Sequence, residues 1–183
     1  MELLQKFEKT VHGWIKDVPH LPEAFRKWLA QNVWWIVLIG VILGGIGLIT
    51  SFFGLIVTAS LIGAPSNAWF TYGGVTAWTV VVGAIGLVFS AIGVTINAIA
   101  ISPLKAMKKK GWVLLFLSLL VSILALVVTT ILNFNFLTLF ANIVFGAVFV
   151  AIAAYLLFEI HPYFGVIKAT KKSAKKPAKK STK

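Results

Sequence analysis

Few residues in this chain are equipped for acid–base chemistry. Glu159 and His161 lie two apart, and His12 and His20 are the other histidines. A carboxylate beside an imidazole is a pairing that general acid–base catalysis uses. Three histidines on one side of a membrane also raise the question of a metal site, although their spacing matches no zinc pattern. The simpler reading makes Glu159 a carboxylate at headgroup level, paired with a lysine such as Lys105 or Lys108. His161 is then an interfacial side chain, and Pro162 ends the helix. Asn97 is the one amide in the second predicted span, and a polar side chain inside a membrane span must find a partner. It is either a functional group or one end of an interhelical hydrogen bond. Thr129, Thr130 and Asn133 cluster further on, where hydroxyls usually bond to their own helix backbone. The chain has no cysteine, which excludes disulfides, thiol nucleophiles and thiolate metal sites. Asn97, Glu159 and His161 stand as a candidate polar site. No catalytic residue, metal ligand or cofactor is assigned.

The elements that hold these residues are set by one long stretch. From Trp28 to Leu104 there is no Asp, Glu, Lys, Arg or His. One bilayer crossing needs roughly 20 apolar residues, and this run is far longer. It breaks once, at Gly63-Ala64-Pro65-Ser66-Asn67, and so predicts two membrane-spanning helices, about 33–62 and 75–101. Trp34 and Trp35 mark the entry, and Trp69, Phe70 and Tyr72 in the loop mark the opposite aromatic belt. A compact basic loop follows Pro103. The third span is expected at about 112–132, Asn133-Phe134-Asn135 is a turn signal, and the fourth span is expected at about 136–158. The fold class is all-α: a polytopic membrane protein of four transmembrane helices in two hairpins.

Small residues recur along the spans. Gly40, Gly44 and Gly47 fall on one side of the first, and Gly83, Gly86 and Ser90 on one side of the second. Ser118 and Ser122 do so on the third. Such residues let helix backbones approach closely. The Gly40-x-x-x-Gly44 face packs either within the chain or against a second copy. Gly45-x-Gly47 makes no dinucleotide fingerprint, since no strand precedes it and the third glycine is missing.

Upstream, Leu3, Leu4, Phe7, Val11, Trp14 and Ile15 line one face of a predicted amphipathic helix. It lies in the membrane interface or packs on the protein itself. Pro19 breaks it, and Pro22 opens a second short helix through Phe25, Trp28 and Leu29. The chain thus divides into an interfacial segment (1–32), a four-helix membrane domain (33–162) and a basic tail (163–183).

Charge is segregated. Five acidic residues face seventeen basic ones, and mean hydropathy is +0.94. Residues 1–32 carry a net +1, Lys105, Lys108, Lys109 and Lys110 add +4, and the tail from Lys168 adds +8. The loops at 63–74 and 133–135 carry no charge. Four spans put every basic segment on one side, and the positive-inside rule makes that side the cytoplasm. The expectation is a plasma-membrane protein with both termini cytoplasmic. The tail has nothing to bury and is expected to be disordered. Lys171, Lys172, Lys175, Lys176, Lys179 and Lys180, with the four loop lysines, are candidates for contact with anionic lipid headgroups. The same tail composition could bind nucleic acid through phosphate charge alone.

The run from Ser102 to Phe116 contains Leu104-Lys105-Ala106-Met107-Lys108-Lys109-Lys110-Gly111-Trp112. With the closing Tyr155-Leu156-Leu157-Phe158-Glu159-Ile160, it resembles a group of small bacterial membrane proteins. Those share a Leu-Lys-x-x-x-Lys-x-Gly-Trp run and a terminal Tyr-Leu-Leu-Phe-x-Ile stretch. The Trp-Trp-Ile-Val-Leu-Ile-Gly start at Trp34 is similar to the repeats of an acid-resistance membrane protein family. Neither resemblance implies catalytic residues. Each predicted hairpin also begins at a Trp and ends in Ile-x-Pro, as a parallel duplication would leave it.

The leading expectation is a non-enzymatic membrane scaffold or accessory component that contacts anionic lipid. Homo-oligomers or another membrane protein are possible partners. A subunit of a small oligomeric transporter or channel is the alternative, with Asn97, Ser90 and Thr95 lining a wet path. A nucleic-acid or ribosome tether through the tail is a further one. A lipid-acting enzyme would have to use Glu159 and His161.

Overall fold

A computed structural model describes residues 19–62, 77–132, 139–140 and 142–164. The described residues are helical and include no strand. Helix α1 runs Glu23–Ser60, α2 Ala77–Lys105, α3 Lys109–Leu132 and α4 Ala147–Ile160. A π-helical turn, Asn142–Gly146, precedes α4, and a 3-10 turn, His161–Tyr163, follows it. Four helical segments are long and apolar enough to cross a membrane, the last being Val144–Tyr163. The molecule is a multi-pass membrane protein. The expected interfacial helix at 2–17 and the lysine tail from 168 lie outside the described residues.

Several helix ends differ from the sequence expectation, two of them at prolines. Pro22 caps α1 from outside, with φ −51° and ψ 138°. Its carbonyl accepts from the amides of Phe25 and Arg26 at 3.0 and 3.1 Å. The short helix and the first span are therefore one rod. No proline interrupts Glu23–Ser60, so the change from charged to apolar side chains marks a change of solvent, not of backbone. At about 1.5 Å per residue this helix is about 57 Å long, well beyond the hydrocarbon thickness. Its charged first turns extend past the core, or the rod tilts. Helix α2 likewise continues through Pro103 to Lys105 instead of stopping before Ser102. A proline this close to a C-terminus removes only one ladder bond.

Between α2 and α3 the chain reverses in three residues. Met107 takes φ 50°, the left-handed conformation. Its amide bonds Leu104 O at 2.8 Å, and the Lys108 amide bonds Pro103 O at 2.9 Å, closing the helix end. Gly111 then passes against the α2 backbone. A Cβ there would stand 2.7 Å from Leu104 N and 2.9 Å from Pro103 C. At the other contact, a Cβ on Gly146 would lie 2.6 Å from Leu126 Cδ1, so the π-turn brings α4 close to α3.

Packing is concentrated at one end, where α1 and α3 begin and α2 and α4 finish. Ala30, Val33, Leu104, Trp112, Phe116 and Ile160 are buried together there. Trp112 stacks on Phe116 with centroids 5.4 Å apart and meets Phe158 edge-on at 5.6 Å. Its indole N–H donates to Leu157 O at 2.8 Å. Away from this end, large side chains face outward: Leu43 is 63% exposed, Ile131 67% and Phe149 69%. A patch of that size is a liability in water. Against lipid tails it is the expected surface, since the helices satisfy their own backbone groups.

Candidate functional site

The charged end is built around Glu159. Helix α4 carries it inward on its last turn, where its side chain is 1% exposed. Its Oε1 lies 2.6 Å from His20 Nδ1, and its Oε2 lies 3.5 Å from Arg26 Nε. Those last two atoms are buried, and neither makes a hydrogen bond among the described residues. They meet as charges. One helical turn back, the Tyr155 hydroxyl donates to Pro19 O at 2.6 Å. The segment Pro19–Pro22 is thus strapped to the end of α4 by a side chain at each of two levels. The sequence expectation paired Glu159 with a lysine of the 105–110 loop; the structure pairs it with His20 and Arg26. Arg26, Leu29 and Val33 follow one stripe of α1, and that spacing was the signal available for Arg26.

His161 lies against Trp112, ring centroids 4.4 Å apart. The ring nitrogen that meets the Glu159 carboxylate at 2.6 Å is that of His20. His12 lies outside the described residues. No group of three His, Asp or Glu side chains that could hold a metal occurs among the described residues. Around Glu159 the geometry makes a closed clasp. Its carboxylate is shielded, and the neighbouring Tyr155 hydroxyl is committed to Pro19.

The loop lysines lie at the same end of the bundle. Lys105, Lys108, Lys109 and Lys110 are all exposed. Lys105 Nζ stands 4.9 Å from the centre of the Trp34 ring, a cation–π contact. Lys171, Lys172, Lys175, Lys176, Lys179 and Lys180 lie outside the described residues.

The small residues separate into two groups. A Cβ at Gly44 would come 2.8 Å from Val94 Cγ2, and one at Gly83 2.8 Å from Leu55 Cδ1. These two allow close helix approach. A Cβ at Gly40, Gly47 or Gly86 would meet nothing within 4 Å. Gly40 is exposed on the outer face. Gly47 and Gly86 border a cavity of about 600 Å³ among α1, α2 and α3, whose walls also include Ser90, Asn97, Ser118 and Ser122. Thr95, expected beside them, is exposed like Ser90 but does not line the cavity, and its hydroxyl donates to Ala91 O at 2.8 Å. Ser51 and Thr129 also line this cavity; the sequence reading did not assign Ser51 to it, and helical spacing from Gly44 and Gly47 was the available clue. A second, apolar groove of about 300 Å³ lies among α1, α3 and α4 nearer the charged end, and shares Ser118 and Ser122.

No protein family, curated protein or solved structure matches this chain, so the functional reading rests on its own geometry.

Proposed function

We propose that this protein is a non-enzymatic scaffold or accessory component of the plasma membrane whose basic face contacts anionic lipid. In this reading the four spans form two hairpins, both termini are cytoplasmic, and the lysine tail extends the same face. The observation that carries it is the set of exposed cations at one end of the bundle: Lys27, Lys105, Lys108, Lys109 and Lys110. Each contributes up to about 1 kcal/mol next to an anionic surface. Glu159, the single acidic residue after Glu23, is shielded by His20 and Arg26 and so subtracts little from that field.

The test is lipid selection. Protein reconstituted in mixed phosphatidylcholine and phosphatidylglycerol, then extracted gently, is expected to carry phosphatidylglycerol in excess. Replacing the four loop lysines with glutamine, together with deletion of 168–183, is expected to abolish the excess. An unchanged lipid ratio in that variant overturns the reading.

A second reading, a subunit of a small oligomeric transporter or channel, is favoured by one observation: Ser90 and Asn97 border the same open cavity among α1, α2 and α3. Solute flux through proteoliposomes tests it. Flux no greater than that of protein-free vesicles removes it.

A further inference from the structure

The hydroxyls of the spans behave in two ways. Outside the cavity, Thr50, Thr58, Ser60 and Thr95 each donate to a carbonyl three or four residues back, at 2.7 to 3.0 Å. That is how a hydroxyl in hydrocarbon is normally satisfied. Within the cavity, Ser122 and Thr129 do the same. The side chains of Ser51, Ser90, Ser118 and Asn97, which line it with them, make no hydrogen bond among the described residues. Ser118, 6% exposed, borders both this space and the neighbouring apolar groove, Asn97 is half-buried, and Ser51 and Ser90 are exposed at the open side. Four polar side chains on three helices converge on one volume of about 600 Å³. Left in an apolar medium, each would cost on the order of 1–3 kcal/mol.

We infer that this cavity is a hydrated intramembrane binding site for a small uncharged molecule with several hydrogen-bonding groups. Asn97 supplies both a donor and an acceptor, and Ser51, Ser90 and Ser118 supply hydroxyls. The volume lies within the range of small-molecule sites and is large enough to hold several waters. None of its lining residues is charged. An ion entering it would meet no counter-charge, whereas a neutral solute exchanges its water hydrogen bonds for those of the wall. Glycines 47, 86 and 93 keep the space open, since a Cβ at each meets nothing within 4 Å. This inference goes beyond lipid contact at the basic end, and it holds whether or not the solute crosses the membrane.

The absence of cysteine makes the test direct. Single variants Ser90→Cys and Ser118→Cys are placed in proteoliposomes, with Ile92→Cys and Leu117→Cys as lipid-facing neighbours at similar depth. Each is treated with methanethiosulfonate reagents of similar size, one neutral and hydroxylated, one cationic and one anionic. Rates are normalised to a free thiol in buffer, and folding is checked by monodispersity in detergent. A thiol reacts as its thiolate, which forms only where water reaches it. The cavity cysteines are expected to react with the neutral reagent, and about tenfold or more slowly with either charged one. The lipid-facing cysteines are expected to stay unmodified. Adding Gly93→Leu, which fills the space, is expected to slow the cavity cysteines several-fold. If the cavity cysteines are as inert as their lipid-facing neighbours, the hydrated site is overturned. If all three reagents react equally, the uncharged selectivity is overturned. Absence of flux with labelling intact removes the transporter reading alone.

Discussion

Glu159 shows how one side chain organises an interface between water and lipid. Its carboxylate is buried, so its stability depends on the His20 ring and the Arg26 guanidinium that reach it. Glu159→Ala removes the His20 and Arg26 contacts, and those two side chains, 57% and 27% exposed, can turn to water; it is expected to lower unfolding stability in detergent by about 1–2 kcal/mol. Glu159→Gln is expected to lose less, because an amide can still bond His20. A Glu159→Ala protein with an unshifted denaturation midpoint would contradict this account. Trp112 is the apolar counterpart. Trp112→Phe keeps most of the stacking on Phe116 and Phe158 but leaves Leu157 O without the indole donor, at a cost of about 1 kcal/mol; Trp112→Ala adds a cavity and is expected to cost about 3–5 kcal/mol. The same denaturation series measures both. Glu159 was legible in the sequence as an exceptional residue because it is the single acid beyond Glu23. Its partners were not legible. The lysines nearest the membrane edge looked equally able to reach it, and only the packing of α1 on α4 selects Arg26 and His20.

At the scale of elements, the spans were legible because hydrocarbon demands long apolar runs. Their ends were not, for the reason Pro22 and Pro103 illustrate. A helix ends where its backbone bonds stop, while an apolar run ends where lipid stops. Helix α1 begins ten residues before Val33, and α2 passes beyond Ile101. The turn between α2 and α3 depends on Gly111. Gly111→Ala drives a Cβ into backbone rather than into a movable side chain, so it is expected to destabilise the fold. Gly47→Ala, in open space, is expected to be neutral or to stabilise by up to about 1 kcal/mol through helix propensity. Thermal denaturation in detergent separates the two; equal midpoints would show that the turn can open without loss. Packing faces were only partly legible. A helix apolar on every side carries no stripe, so small residues were the remaining guide. They marked Gly44 and Gly83 as contacts, but they marked Gly47 and Gly86 in the same way, and these border open space.

At the scale of the whole molecule, charge and packing coincide. The end that bears the cations is also the end with the aromatic core. A membrane-impermeant thiol reagent added from one side is expected to label Lys27→Cys and Lys108→Cys together. It is expected to label Leu61→Cys, at the far end of α1, only from the other side. Labelling of Lys27→Cys and Lys108→Cys from opposite faces would contradict a bundle whose basic segments share one face.

Tight packing at one pole has a mechanical counterpart. Like tongs riveted near the handle, the four rods are pinned around Trp112 and Glu159; farther out along the arms α2 still holds α3 through the Trp78 indole on Leu132 O, but most large side chains there bear on surrounding lipid. Lateral pressure, which changes with lipid shape, acts on those arms. Spin labels at Thr58 and Leu132 are therefore expected to report a separation that varies with bilayer composition, whereas a pair at Lys27 and Lys108 keeps its distance. The interior volume between the arms would widen or narrow with the bilayer around it.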